Sequence, residues 1–393
     1  IRINLFTQNI LSKRRIRCNP YSKNPLEDVI QRLERSAVKN VLFPDYVNRF
    51  VEFQARLYER VEDDVIRCLV CERRCILKPG QTGVCKNYMN LSGKLIHLGY
   101  GVLSAVESRP IEIKPLFHYW PNSTALTFSG YGCNFYCPWC QNNHLSFSNL
   151  PRDPKRVPPE RLVEYALKVG DEGLCASFNE PATLYDYLLD LFELGRRNNL
   201  YGVLVTNGYF TERALERLVE AGADGYSVDI KGCPKARKAL ATIDHLKVFR
   251  NAKKLIDLGG HVEMVYLVVT GFNDGEECVE WILGKHIDLL GPDTPLHINR
   301  YYPAHVWREP PTSLPKLLRI RERARRMGIN YVYVGNVGVP ELEETRCPRC
   351  GRILIARHHY RVTYYRLDGD RCPRCGQRIP IRGRFIEGKP MPG

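Results

Sequence analysis

Three thiols, Cys133, Cys137 and Cys140, stand in the run GYGCNFYCPWCQN from Gly130 to Asn142, spaced to hold three irons of a cubane cluster and leave the fourth iron bare. Iron–sulfur clusters are usually held by four cysteines, and structural zinc by four ligands. Three close thiols with no obvious fourth therefore reserve a coordination site for a small molecule. A zinc ion here would need a fourth ligand, for which His144 is the nearest candidate. The glycines at 130 and 132 let the backbone bend tightly around such a group.

Eleven of the fifteen cysteines fall into three closely spaced sets, which favours metal binding in a reducing compartment over disulfides. Cys68, Cys71, Cys75 and Cys85 form a complete set of four, suited to zinc or to a second, fully ligated cluster, with a structural role favoured over electron transfer. Cys347-Pro-Arg-Cys350-Gly and Cys372-Pro-Arg-Cys375-Gly are identical knuckles flanking a β-rich stretch from Ile353 to Leu367, the spacing of a zinc ribbon. Tyr360, Tyr364, Tyr365 and Phe385 are interleaved there with Arg361, Arg366, Arg382 and Arg384, a mixture that serves either nucleic-acid stacking or a small core. Cys18, Cys175, Cys233 and Cys278 are scattered and read as small buried hydrophobes.

The elements that must position these groups are legible as alternation. β-rich runs at Ala125–Ser129, Leu174–Phe178, Gly202–Thr206, Gly225–Ile230, His261–Val269, Leu296–Tyr301 and Tyr331–Val334 are separated by amphipathic stretches including Pro159–Val169, Leu184–Arg197, Thr211–Ala221, Asp244–Leu258 and Leu314–Met327. Such spacing implies parallel strands with right-handed crossovers, as a barrel or a doubly wound sheet. Many candidate residues fall at or just beyond strand C-termini, where these folds place active sites. Helix-like stretches at Glu27–Ser36 and Tyr46–Glu62 suggest a helical extension over residues 1–65, followed by a four-cysteine module at 66–118, a catalytic core at 119–340 and a basic ribbon at 341–393.

With 393 residues and 44% hydrophobic content, the chain can bury one large core with appendages. The N-terminal stretch lacks an apolar secretory core and no run of about 18 apolar residues occurs, so a cytoplasmic protein without membrane attachment is expected. The net charge of +15 is uneven: residues 346–393 hold twelve Lys or Arg against three Asp or Glu. A module with that surplus suits an acidic partner such as RNA, DNA or an acidic protein face, or is a solvated arginine-rich surface.

The chain resembles the radical S-adenosylmethionine (SAM) member of the AmmeMemoRadiSam system, a relative of the pyruvate formate-lyase activating enzymes. The resemblance spans roughly residues 66–383. It rests on the three-cysteine loop and on Arg67–Cys75, Lys114–His118, Ser177–Pro181, Val205–Tyr209, Asp229–Lys231, Pro295–His297, Tyr331–Asn336 and the paired knuckles.

It implies an α/β fold, a partial (β/α)6 TIM-type barrel, with a 4Fe-4S cluster on Cys133, Cys137 and Cys140, SAM on the open iron, and zinc on Cys347, Cys350, Cys372 and Cys375. It places Trp139 near adenine, Asn179 and Glu180 at the methionine ammonium, and Asn207, at the end of the third parallel strand, with Asp229 and Lys231, at the end of the fourth, near ribose and carboxylate. His297 is placed at the end of the sixth strand, near ribose or substrate. Glu180 also suits a helix N-terminus, Lys231 a solvated surface, and His297 simple packing. Val205 stands where those activases carry the Asp of a cation site, so the resemblance does not extend to that site.

The implied activity is that of a radical SAM oxidoreductase or modifying enzyme: a 5'-deoxyadenosyl radical takes hydrogen from a macromolecular substrate, RNA or protein, with electrons from a ferredoxin- or flavodoxin-type donor. Two alternatives differ in class. One is a glycyl-radical-enzyme activase. The other is a catalytically inactive nucleic-acid-binding zinc-ribbon protein, against which the combination of the loop cysteines with Glu180, Asp229 and Lys231 argues.

Overall fold

A computed structural model of the chain describes residues 53–236, 240 and 242–389. Two compact units are present, residues 1–54 and 55–393, and nearly all of the described residues belong to the second. The stretch Glu27–Ser36, residues 46–52 and Cys18 lie outside the described residues. Tyr58–Glu62, expected as helix, is instead a strand paired antiparallel with Val65–Cys68. The two aspartates at 63 and 64 turn the chain, Asp63 with φ of 28°, and strand pairing then overrides the helical preference of Glu and Arg.

The core is an eight-stranded sheet with helices in its crossovers. In chain order it runs β1 (Ala105–Pro110), β2 (Thr124–Ser129), α1 (Pro159–Val169), β3 (Gly173–Ala176), α2 (Tyr185–Arg197), β4 (Tyr201–Thr206), α3 (Glu212–Ala221), β5 (Ala223–Ile230), α4 (His245–Asp257), β6 (His261–Val268), α5 (Glu276–Leu290), β7 (Leu296–Arg300), α6 (Leu314–Arg326) and β8 (Val332–Gly335). The strands follow one another across the sheet from β1 to β8. β1 pairs antiparallel with β2, and all other neighbours pair parallel. The seven expected runs thus become seven parallel strands, one more than a sixfold repeat. An antiparallel edge strand and α5, neither read from the sequence, complete the unit. Every residue of β2 and β3 is buried, as for strands covered on both faces.

Local chemistry sets the helix ends. Pro159 opens α1 at its first position and Gly170 closes it with φ of 73°. Thr211 and Asp244 cap α3 and α4 by accepting the backbone N–H groups of Ala214 and Leu246. No helix among the described residues is long and apolar enough to cross a membrane.

Two small modules flank the sheet. Residues 58–97 carry the short hairpins of the first four-cysteine set. At the other end Thr345–Arg346, Ile353–His358 and Arg361–Tyr365 form a three-stranded sheet, whose Leu354 and Ile355 pack with Phe117, Tyr331 and Tyr333 of the core. Cys175 is buried, as expected. Cys233 and Cys278, expected as separate buried thiols, are instead joined in a disulfide that ties the loop after β5 to the first turn of α5. They are 45 residues apart, so only the packing of that loop on α5 could reveal the pair.

Candidate functional site

The C-terminal ends of the parallel strands surround a cavity of about 480 Å³. All ten residues singled out for the cluster and SAM border it: Cys133, Cys137, Trp139 and Cys140 from the loop after β2, Asn179 and Glu180 after β3, Asn207 after β4, Asp229 and Lys231 at the end of β5, and His297 in β7. His144 lies on the short helix Asn143–Ser146. Among the described residues neither it nor the three thiols form a ligand group drawn within 4.8 Å.

Gly132 is what lets the loop turn. Its φ is 80°, and a Cβ there would lie 2.4 Å from the carbonyl oxygen of Cys85. Asn179 then holds the turn from both sides, accepting the Gly130 N–H at 3.1 Å and donating to the Gly132 oxygen at 2.9 Å. Asn207 is likewise engaged, donating to Asn134 Oδ1 at 2.7 Å and accepting the Tyr209 N–H at 3.1 Å. Both amides shape the cavity rather than offer it a free side chain.

Glu180 is buried and caps a short 3-10 helix, Pro181–Leu184. Its oxygens accept from the Ala182 N–H at 3.1 Å, Thr206 Oγ1 at 2.8 Å and the Asn207 N–H at 2.8 Å. Burial lifts its pKa to about 7, with those donors and Lys231 pulling the other way. The capping role and a place in the cavity therefore coexist. Asp229 and Lys231 pair at 3.0 Å. Burial works against the Lys231 cation, but Asp229 outweighs it and raises the amine's pKa.

Burial pushes the Cys137 thiol up to about 12 against the pull of Lys231, and moves Cys133 upward too, with Glu180 adding to the shift. Three thiols gathered on one loop beside an acid and a cation are a donor set that fits a cluster with one open iron. Trp139 is buried against Phe272, ring centroids 4.3 Å apart, and forms an apolar wall.

His297 does not end its strand: β7 continues to Arg300. Its Nε2 meets Glu263 Oε2 at 2.7 Å, which commits the ring to a buried network. Burial alone would raise the Glu263 pKa; hydrogen bonds from His261 and His297 prevail and hold it well below the carboxylate range.

Sequence reasoning missed the opposite wall. Glu112, Lys114, Asn299, Asn336, Glu343 and Tyr360 also border the cavity. Lys114 begins one of the family-like runs, yet nothing in its spacing announces that it is 4% exposed with its ammonium 4.6 Å from the Phe178 ring centroid. Tyr360 and Glu343 come from the C-terminal segment, whose attachment is firm. Arg357 is buried, donates to Phe117 O at 2.6 Å and Glu343 O at 2.9 Å, and lies over the Phe117 ring. Tyr365 and Phe385 stack on one another at 4.3 Å, so two of the aromatics considered for base stacking serve the module's own packing.

The four knuckle thiols, Cys347, Cys350, Cys372 and Cys375, all lie within 4.8 Å of one another, with pairs at 3.5 and 3.7 Å. Thiolates about 2.3 Å from one tetrahedral ion stand about 3.8 Å apart, so this group could hold a metal ion.

Residues 127–282 match the family model of the radical SAM superfamily. The chain is 35% identical over 319 residues to uncharacterized protein MJ0808 of Methanocaldococcus jannaschii, covering 80% of this chain and 94% of that protein. Similar solved structures include a domain of a pyruvate-formate lyase-activating enzyme from Bacteroides vulgatus (12% identity, 42% of this chain and 99% of that one, TM-score 0.36). Another is a radical SAM methyltransferase from Sphaerobacter thermophilus (16% identity, 55% of this chain and 67% of that one, TM-score 0.43).

Proposed function

Because this chain carries a radical SAM superfamily domain and belongs to the same family as the Methanocaldococcus jannaschii protein, we propose that it is a radical SAM enzyme acting on a macromolecule, RNA or protein. The observation that carries the reading is the convergence of three loop thiols, an acid, an acid–lysine pair and an aromatic wall on one cavity. Bound together, a 4Fe-4S cluster and SAM supply one-electron cleavage of the sulfonium bond and a 5'-deoxyadenosyl radical that takes hydrogen from substrate.

The protein's own residues bind, aim and keep dry. Cys133, Cys137 and Cys140 hold the cluster. Glu180 Oε2 accepts only the Asn207 N–H, which leaves it room for an ammonium. Lys231, kept cationic by Asp229, suits the carboxylate of SAM, and Trp139 excludes water beside the adenosine. Asn179 and Asn207 are positioning residues that hold the loop in register. His297 acts through Glu263 as part of the cavity's support.

Of the expected modules 66–118, 119–340 and 341–393, the first is better drawn over residues 58–97, since Ala105–Pro110 already belongs to the core sheet, and the last is proposed to hold zinc. Tyr360 and Glu343 make that basic module a wall of the cavity, which suits a large substrate docked on it and reaching inward. The test is anaerobic. With iron, sulfide, SAM and a strong reductant, the protein is expected to form 5'-deoxyadenosine, and Cys137→Ala to abolish it while zinc at the knuckles persists. Undiminished cleavage in Cys137→Ala refutes the site. Incubation with RNA or with protein fractions then identifies which substrate acquires the modification.

A further inference from the structure

Cys68, Cys71, Cys75 and Cys85 line one small interior cavity beside the three-thiol loop. We propose that this cavity holds a second, fully ligated 4Fe-4S cluster that exchanges electrons with the cluster in the loop; the exchange, though not the site, rests on the radical SAM reading above.

Four thiols with no open position suit either one zinc ion or a closed cluster, and softness does not separate the two. Spacing does. The knuckle thiols at the other end of the chain close to within 4.8 Å, the span of donors around a single ion. Among the described residues no other three metal-ligand side chains draw so close, neither the set at Cys68–Cys85 nor the loop triad. Like the loop triad, the N-terminal set is therefore not drawn to the span of single-ion donors. Thiolates bound to separate irons at the corners of a cubane must stand farther apart than thiolates on one ion.

The two wide sets abut. Asn134, the residue after Cys133, lines the N-terminal cavity and is 1% exposed. Its Oδ1 accepts from Asn207, while its Nδ2 has no oxygen or nitrogen acceptor, the Cys71 sulfur being the neighbour it can serve. Donors to cluster sulfurs are what such a site provides. Asn87 Nδ2 donates at 2.8 Å both to Cys85 O, in the module, and to Tyr131 O, in the loop. Arg73 Nε donates to Asn134 O at 2.8 Å. Gly132, whose side-chain space is filled by Cys85 O, brings the two backbones into contact. Asn134 thus borders both thiol sets, lying beside Cys133 Sγ on one side and the N-terminal cavity on the other.

The electron count closes with a single external carrier. A ferredoxin- or flavodoxin-type donor gives up one electron, which passes from the cluster at Cys68–Cys85 to the loop. There it enters the sulfonium C–S bond, which breaks into methionine and the 5'-deoxyadenosyl radical. No proton moves, and both clusters return to their oxidised state.

The test uses the full chain reconstituted anaerobically, as wild type and as the triple variant Cys133→Ala, Cys137→Ala, Cys140→Ala. The triple variant should retain about four irons and a reduced-cluster electron paramagnetic resonance signal that SAM does not alter. Two zinc ions and no iron in that variant would overturn the proposed site. In fully reduced wild type the two clusters should couple magnetically, broadening or splitting the spectrum. A wild-type spectrum equal to the sum of two isolated clusters would overturn the exchange. Failure of the radical SAM reading looks different: iron remains in the triple variant, but no signal of the wild type responds to SAM.

Discussion

The two four-thiol modules use the same donors and are built on opposite plans. At the C-terminus each knuckle makes its own turn: the Cys347 N–H bonds Arg352 O and Gly351 returns to Cys347 O, and Cys372, Gln377 and Gly376 repeat the pattern. Gly351 and Gly376 both have φ of 71°. At the N-terminus the Cys68 N–H bonds Cys75 O, but Cys85 arrives on a separate turn closed by Gly83 and Tyr88. The core itself completes that cavity with Asn134 and Ala182. One site is finished by local sequence and the other by tertiary contact. An identical ligand set therefore says little about the metal, and the spacing and neighbours of the thiols say much.

The largest effect expected from breaking this contrast is Cys350→Ser. It should remove the ion from the knuckles and with it up to about 10 kcal/mol of metal-linked folding energy of that module. Iron elsewhere should be untouched, as metal counting and limited proteolysis of residues 345–389 will show. Loss of iron together with zinc would mean that the modules are not independent.

Next comes Arg357→Met, which strands the carbonyl oxygen of Phe117, takes a donor from Thr345 and should cost about 3 kcal/mol in urea unfolding. A neutral result would show that the C-terminal module is held by its apolar contacts alone.

Glu112 reads the same junction electrostatically. Burial raises its pKa from 4.5 to about 7, opposed by Arg357 and the Asn122 N–H. A carboxyl whose folded pKa is raised contributes stability that is complete below about pH 4.5 and is lost as pH rises through about 7. Glu112→Gln should therefore gain on wild type across that window, reaching about 3 kcal/mol at pH 8 and nothing at pH 4.5. A pH-independent difference would place the charge of Glu112 elsewhere.

The smallest effect belongs to Gly132→Ala, about 1–2 kcal/mol of backbone strain. It presses the cluster loop against Cys85 O and should loosen iron at both wide thiol sets while leaving the knuckle ion in place. Iron retention on gel filtration checks it.

Much of the core was legible because alternation is a local signal: all seven β-rich runs are strands, and the capped amphipathic stretches are helices. α5 is apolar on several sides and escaped that reading. Tyr58–Glu62 looks helical until Asp63 and Asp64 turn it onto Val65–Cys68. His297 was placed at a strand end that extends to Arg300 because a boundary depends on the neighbouring strand, here β6, whose Val268 pairs with Arg300.

By itself the sequence determined donor types, the knuckle turns, the strand–helix alternation and which residues follow each strand, since all depend on neighbours a few positions away. Tertiary structure alone decided that Glu112, Lys114 and Tyr360 complete the cavity, that Cys233 reaches Cys278, and that one thiol quartet closes within 4.8 Å while the other lines a cavity finished by Asn134 and Ala182. Those facts are distances between segments far apart in the chain, and such distances are set by how the segments pack.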